Sequence, residues 1–358
     1  MSRFTYLLST GILFALILAA CGDDEMIDPN PPIGGDIDLT DIPYSPQPYN
    51  LVIPDSFPPM SIPADNPLTE AGVQLGRFLF YDPILSGDSS LACVGCHLIE
   101  GSFTDNQAVS KGITGETGTR SAMSLLNVGF YNNGLFWDGR AQTLEEQALL
   151  PVEDPIEMHA LWPDVVDKLK THPDYPERFR KAFGIEKASE ITKELTAKAL
   201  AQFERIIISS GTSRFDKRFL YLNPTVDLSD SEQRGFDMFF DEPNSPLPDA
   251  QCFHCHGGVL FTTNEYFNNG LQEAATLNDF GDPGRGAVTG NLIDNGKMRA
   301  PTLRNIMHSA PYMHDGRFAT MEEVLDFYNE GVHYADNLDD NLIPEMGLSE
   351  SEKQDIIA

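Results

Sequence analysis

The pentapeptide Cys93-Val94-Gly95-Cys96-His97 and its counterpart Cys252-Phe253-His254-Cys255-His256 constrain this chain more than any other feature. Cys-x-x-Cys-His is the spacing that attaches haem c. The two thiols bond the vinyl groups, and the adjacent imidazole takes one axial face of the iron. A structural zinc site needs four ligands, and each motif supplies at most three close ones. A thioredoxin-like dithiol needs a βαβ setting that is absent here. The expected cofactors are therefore two covalently bound haem c groups, held by Cys93, Cys96 and His97 and by Cys252, Cys255 and His256.

The fifth cysteine bears on the compartment. Arg3 precedes an apolar run from Leu7 to Ala20, and Leu18-Ala19-Ala20 leads into Cys21. The run is too short to span a bilayer and reads as a secretory signal, residues 1–20. A small-residue site ending on Cys is similar to the bacterial lipoprotein signal. That likeness implies an exported, lipid-anchored protein on the periplasmic or outer-membrane face. Residues 21–65 read as a tether: no Lys or Arg occurs between Arg3 and Arg77, and the segment is acidic and rich in proline. Such a composition buries little apolar surface and is expected to be extended. The formal charge of −30 excludes nucleic acid as a partner and suits a small basic electron-donor cytochrome, although solubility alone would also account for it.

The chain also repeats itself. Gly76 and Gly235 stand the same distance before their haem motifs, each followed by aromatic residues and Asp. Phe103-Thr104 matches Phe261-Thr262, Arg120-Ser121-Ala122 matches Arg299-Ala300-Pro301, and Trp137-Asp138-Gly139-Arg140 matches His314-Asp315-Gly316-Arg317. Thr143-Leu144-Glu145-Glu146 matches Thr320-Met321-Glu322-Glu323. The expected architecture is mainly α: two tandem cytochrome c-type haem domains related by internal duplication, residues 66–225 and 226–358. Short helices joined by long loops should wrap the haems. Leu75–Tyr81 has helical spacing before Pro83, Ala188–Ser209 is the longest periodic run, and Ser349-Glu350-Ser351-Glu352 resembles a capping box.

The repeat supplies a positional argument. With Glu146 on Glu323, Pro151 falls on Tyr328. Proline cannot ligate iron and tyrosine can. If both positions overlie a haem, one haem is open and the other closed.

The chain resembles the bacterial di-haem cytochrome c peroxidase family, and in detail its MauG branch, from about Asn66 onward. The motifs that carry the resemblance are Leu75–Pro83, both haem sites, Phe136-Trp137-Asp138-Gly139-Arg140-Ala141, Glu145-Glu146-Gln147-Ala148, Asp154-Pro155-Ile156-Glu157-Met158, Arg299–Asn305 and Ala310–Gly316. The resemblance implies that the haem on His97 is peroxidatic, with Gln147 and Glu157 on its distal side and Glu157 shuttling the proton. It implies that Trp137 lies between the haems and carries electrons. It places the second haem's distal ligand at Tyr328, where ordinary family peroxidases carry Met; Met321, Met346 and His333 are the alternatives. Ordinary members also carry a distal His soon after the first motif, yet no His occurs here between His97 and His159. The family's calcium ion would fall to Ser121, Ser309 and Pro311, with Ser121 replacing an Asn.

The function expected from these features is a peroxidase reducing hydrogen peroxide with electrons from a small cytochrome or similar donor. A MauG-like oxidase acting on a protein or organic substrate is one alternative, and a di-haem electron carrier without catalysis is another.

Overall fold

The computed structural model describes residues 36–358 apart from 244, 344 and 345. The signal peptide and Cys21 lie outside the described residues. The described chain is mainly helical, and its only regular sheet is one antiparallel pair of two-residue strands, β1 (Tyr266–Phe267) and β2 (Met298–Arg299). None of its helices is long and apolar enough to cross a membrane.

Two helix crossings frame the structure. Helix α1 (Glu70–Tyr81) starts where the Thr69 hydroxyl accepts from the Gly72 amide, and it buries Leu75, Gly76, Leu79 and Phe80. This expected helix thus begins five residues earlier than its apolar spacing indicated. The periodic run from Ala188 breaks into a short turn, Ala188–Glu190, and a helix, Lys193–Glu204, capped by Thr192. That helix belongs later in the chain order, after α2 (Leu144–Glu153), α3 (Trp162–Thr171) and α4 (Tyr175–Phe183), and is α5. It crosses α1 at Gly76, where a Cβ would sit 1.9 Å from the Ala199 carbonyl oxygen. Helix α6 (Asp230–Phe239) crosses the last helix in the same way. A Cβ at Gly235 would sit 1.9 Å from the Asp355 carbonyl oxygen. That last helix, Glu350–Ile357, opens with the expected Ser349/Glu352 capping box. It is α10, after α7 (Phe253–His256), α8 (Arg285–Thr289) and α9 (Met321–Glu330).

The main core lies under the first half of the chain, where α1, α3, α4 and α5 bury Leu79, Val165, Leu169, Phe179 and Ala199. Around the second haem motif the packing is aromatic instead. Phe219 stacks on Phe236 with centroids 4.1 Å apart, and Phe215 meets Phe261 at 4.9 Å.

The proline-rich segment departs from expectation. Its described part, from 36 to 65, has no helix, yet it does not stand off the body. Leu39 is 3% exposed and donates its amide to the Glu186 carbonyl. Phe57 is 7% exposed, packed with Phe130 and Leu260 and under the Arg304 guanidinium. A few apolar side chains are enough to pin an extended chain when partners from distant elements surround them, and composition alone does not show those partners.

Candidate active site

The first motif lies in a short 3-10 turn, Cys93–Gly95, ahead of His97. Nδ1 of His97 donates to the Phe103 carbonyl at 2.8 Å, which fixes the ring and leaves Nε2 for a metal. Phe103 holds a left-handed φ of 62°, rare for a bulky residue, and the Phe261 counterpart holds 53°. Burial lowers the His97 pKa, keeping the imidazole neutral as an iron ligand must be. Cys93, Cys96 and His97 face a cavity of about 190 Å³. Neither thiol is in a disulfide, and burial pushes Cys93 up to about 12 and Cys96 up to about 11. Such raised values do not suit a reactive dithiol pair.

The same cavity receives Gln147, Pro151 and Glu157. Helix α2 begins where the Thr143 hydroxyl accepts from the Glu146 amide, and it carries Gln147 and Pro151. The chain then turns back on itself: Met158 donates to the Pro151 carbonyl at 3.1 Å and Glu157 to the Asp154 carbonyl at 3.1 Å. This return aims Glu157 inward. Burial raises its pKa, Asp154 adds to that, and Arg140 opposes it.

Trp137 also lines the cavity, and Nε1 donates to the Ser121 carbonyl at 3.0 Å. Its ring lies 6.4 Å from that of His314, which is buried and kept neutral. Arg140 and Arg317 pair with Asp138 and Asp315 at matching positions of the repeated motif.

The second motif occupies the one-turn helix α7. His256 Nδ1 donates to the Pro301 carbonyl at 3.0 Å, again freeing Nε2. Burial pushes Cys252 and Cys255 each up to about 12. Tyr328, on α9, lies within electrostatic reach of both sulfurs, and its hydroxyl accepts from Asn269 at 3.1 Å. Among the alternative ligands, Met346 packs against the cluster of Met238, Ala250 and Leu348, which Cys252 also borders. His333 donates its backbone amide to the Gly270 carbonyl.

For the calcium residues, the Ser121 hydroxyl donates to the Met313 carbonyl at 3.1 Å and the Ser309 hydroxyl to the Ile306 carbonyl at 3.0 Å. Among the described residues no cluster of three His, Cys, Asp or Glu could hold a metal ion.

Sequence reasoning missed three residues. Glu204 lines the first cavity, is 5% exposed, and its Oε2 has no partner among the described residues. Tyr131 lines the same cavity. Arg120 bridges Asp138 at 2.6 Å and Asp282 at 2.7 Å, tying distant parts of the chain together. Only Arg120 carried a sequence signal, its echo at Arg299.

Two half-buried imidazoles, each with one nitrogen anchored and one free beside paired thiols, define a protein built to hold two haems of the c type. Residues 70–221 match the family described as di-haem cytochrome c peroxidase. The cytochrome-c peroxidase IdrP1 of Denitromonas iodatirespirans is 32% identical over 328 residues, covering 84% of each chain. The methylamine utilization protein MauG of Methylorubrum extorquens is 33% identical over 305 residues, covering 85% of this chain and 80% of its own. A solved MauG-like protein associated with microbial copper homeostasis superposes with a TM-score of 0.76 at 35% identity, covering 86% of this chain and 93% of that one. The chain belongs to the di-haem cytochrome c peroxidase family and is an oxidoreductase, and haem c is the cofactor that membership implies.

Proposed function

We propose that the chain reduces hydrogen peroxide at the first site with electrons that a small cytochrome delivers through the second. The observation that carries this reading is the convergence of His97, Gln147, Pro151 and Glu157 on one cavity. Covalently attached haem would supply the redox chemistry: two-electron reduction of peroxide at one iron and one-electron transfer at the other.

The protein's own residues then have distinct tasks. His97, held by Phe103, presents Nε2 in a fixed direction. Pro151 lines the same cavity with a side chain that has no ligating atom, and would leave room there for peroxide. Glu157, its pKa raised by burial, takes a proton from one peroxide oxygen and returns it to the other, and the Gln147 amide orients the pair. Trp137, between Ser121 and His314, relays electrons. Tyr328, within reach of Cys252 and Cys255, would be the residue to ligate the second haem's iron.

The reading extends to parts of the chain beyond these contacts. Tandem duplication is supported by the matched crossings at Gly76 and Gly235, the matched caps Thr143 and Thr320, and the left-handed pairs Asn127/Asn305 and Gly139/Gly316. Lipidation at Cys21 would anchor the protein on the periplasmic or outer-membrane face. Calcium would be held by Ser121, Ser309 and Pro311.

A MauG-like oxidase acting on a protein or organic substrate is the second reading, favoured by the half-buried Tyr328 beside the second thiols. Stopped-flow mixing of the ferric protein with peroxide tests both. Immediate reaction without prior reduction is expected, and no reaction at either iron would leave only an electron carrier. A donor screen then separates peroxidase from oxidase.

A further inference from the structure

One four-residue segment, Arg299–Thr302, touches both haem sites and both aromatic residues between them. Arg299 donates its amide to the Trp137 carbonyl at 2.8 Å. Pro301 accepts from His256 Nδ1 at 3.0 Å, and Thr302 donates its amide to the Tyr131 hydroxyl at 3.2 Å. The last two bonds use opposite ends of a single peptide unit. Tyr131 in turn lines the first cavity. An unbroken series of covalent and hydrogen bonds therefore runs from the proximal imidazole of the second site to the wall of the first.

We propose that Tyr131, acting through the Pro301–Thr302 peptide, is a second electron-coupling residue between the two sites, parallel to Trp137. The proposal rests on the two-haem reading above. One electron leaves the second iron, which is oxidised by one unit, and one electron arrives at the first, which is reduced by one unit. No proton moves, and Tyr131 ends as it began.

Its surroundings fit a tunnelling bridge and not a stopping place for charge. The buried Arg299 guanidinium lies 4.9 Å from the Tyr131 ring centroid, and a cation over the ring opposes removal of an electron from it. Burial also raises the phenol's pKa, in keeping with a neutral hydroxyl.

The same bonds connect Tyr131 to the second iron's electronics. A peptide whose N–H is engaged has a more polarised carbonyl, because neighbouring hydrogen bonds reinforce each other. That carbonyl draws harder on the His256 Nδ1–H, and the imidazole becomes the more basic ligand. Tyr131 is thus a positioning residue for the second site as well as a bridge.

The test is Tyr131→Phe in the holoprotein, which keeps the ring under Arg299 and removes only the hydroxyl. Electron exchange is read by flash reduction of the second iron and arrival of the electron at the first. A several-fold slower exchange is expected, together with an upward shift of the second iron's midpoint potential. Because parallel routes add, the double variant with Trp137→Phe should exchange more slowly than Trp137→Phe alone. An exchange rate equal to that of the unaltered protein, or a double variant no slower than Trp137→Phe, overturns the proposal. Failure of the two-haem reading shows up separately, as an unaltered protein with one haem or with no exchange to slow.

Discussion

The hydroxyl of Tyr328 sits 3.1 Å from Nδ2 of Asn269, which donates to it, and Asn269 also reaches the Met313 sulfur at 3.7 Å. The phenol is thereby held in one direction, close to the thiols of the second motif. Tyr328→Met should raise the second iron's potential, because a thioether favours ferrous iron where a phenolate favours ferric. Tyr328→Phe should abolish any tyrosinate charge-transfer band. Magnetic and optical spectra of the three proteins decide the matter. Unchanged spectra in Tyr328→Phe would move the ligand assignment to Met346 or His333.

Glu157 is argued to move a proton, so Glu157→Gln should keep the cavity's shape while removing that capacity. General acid–base groups contribute about 10²–10⁴-fold, and the variant's reaction with peroxide should slow within that range. Stopped-flow traces across peroxide concentrations separate binding from cleavage. A slowed step that saturates at the same peroxide concentration is expected.

Gly76 and Gly235 make parallel stability tests. Alanine is favoured over glycine inside a helix by about 0.5–1 kcal/mol. Against that gain, the added methyl would meet a backbone carbonyl of the crossing helix at 1.9 Å, and backbone cannot swing aside. Overpacking costs about 1–3 kcal/mol or more, so the clash wins. Gly76→Ala and Gly235→Ala should each lower the denaturation midpoint. Gly118→Ala, whose nearest neighbour would be the Arg120 carbonyl at 3.9 Å, should leave it nearly unchanged.

Glu204 predicts a pH dependence. Burial pushes its carboxyl up to about 8, Arg205 opposes the shift and Glu145 adds to it. The folded state thus holds a proton that the unfolded chain releases near 4.5. Stability from this group is complete below the lower value and is lost as pH rises through the upper one. Glu204→Gln should flatten the fall in melting temperature of the holoprotein between pH 4.5 and about 8. A variant whose melting profile parallels the unaltered protein's across that window would show that Glu204 does not titrate there.

What the sequence made readable was local. Thr143 and Thr320 announce helices because a hydroxyl caps an amide three residues on. Gly139 and Gly316 announce sharp turns because their φ of 75° and 64° suits glycine. The haem motifs carry their chemistry in five residues. Tyr131 and Asn269 stayed hidden because their importance lies in partners far along the chain, and Glu204 because its burial beside the first cavity is set by the tertiary fold. Thr302 stands 171 residues after Tyr131, and nothing near either residue signals the meeting. Phe57 stayed hidden for the same reason, and the proline-rich segment around it read as a free tether.

The backbone bonds between the two halves have a mechanical meaning. Ser121 donates its amide to the His314 carbonyl at 2.7 Å, and Arg299 does the same to Trp137 at 2.8 Å. Each half is stitched by its main chain to the aromatic or imidazole residue of the other. Substitution of side chains leaves such stitches in place. The spacing between the two redox centres is therefore a property of the backbone and is insulated from mutational drift at the surface.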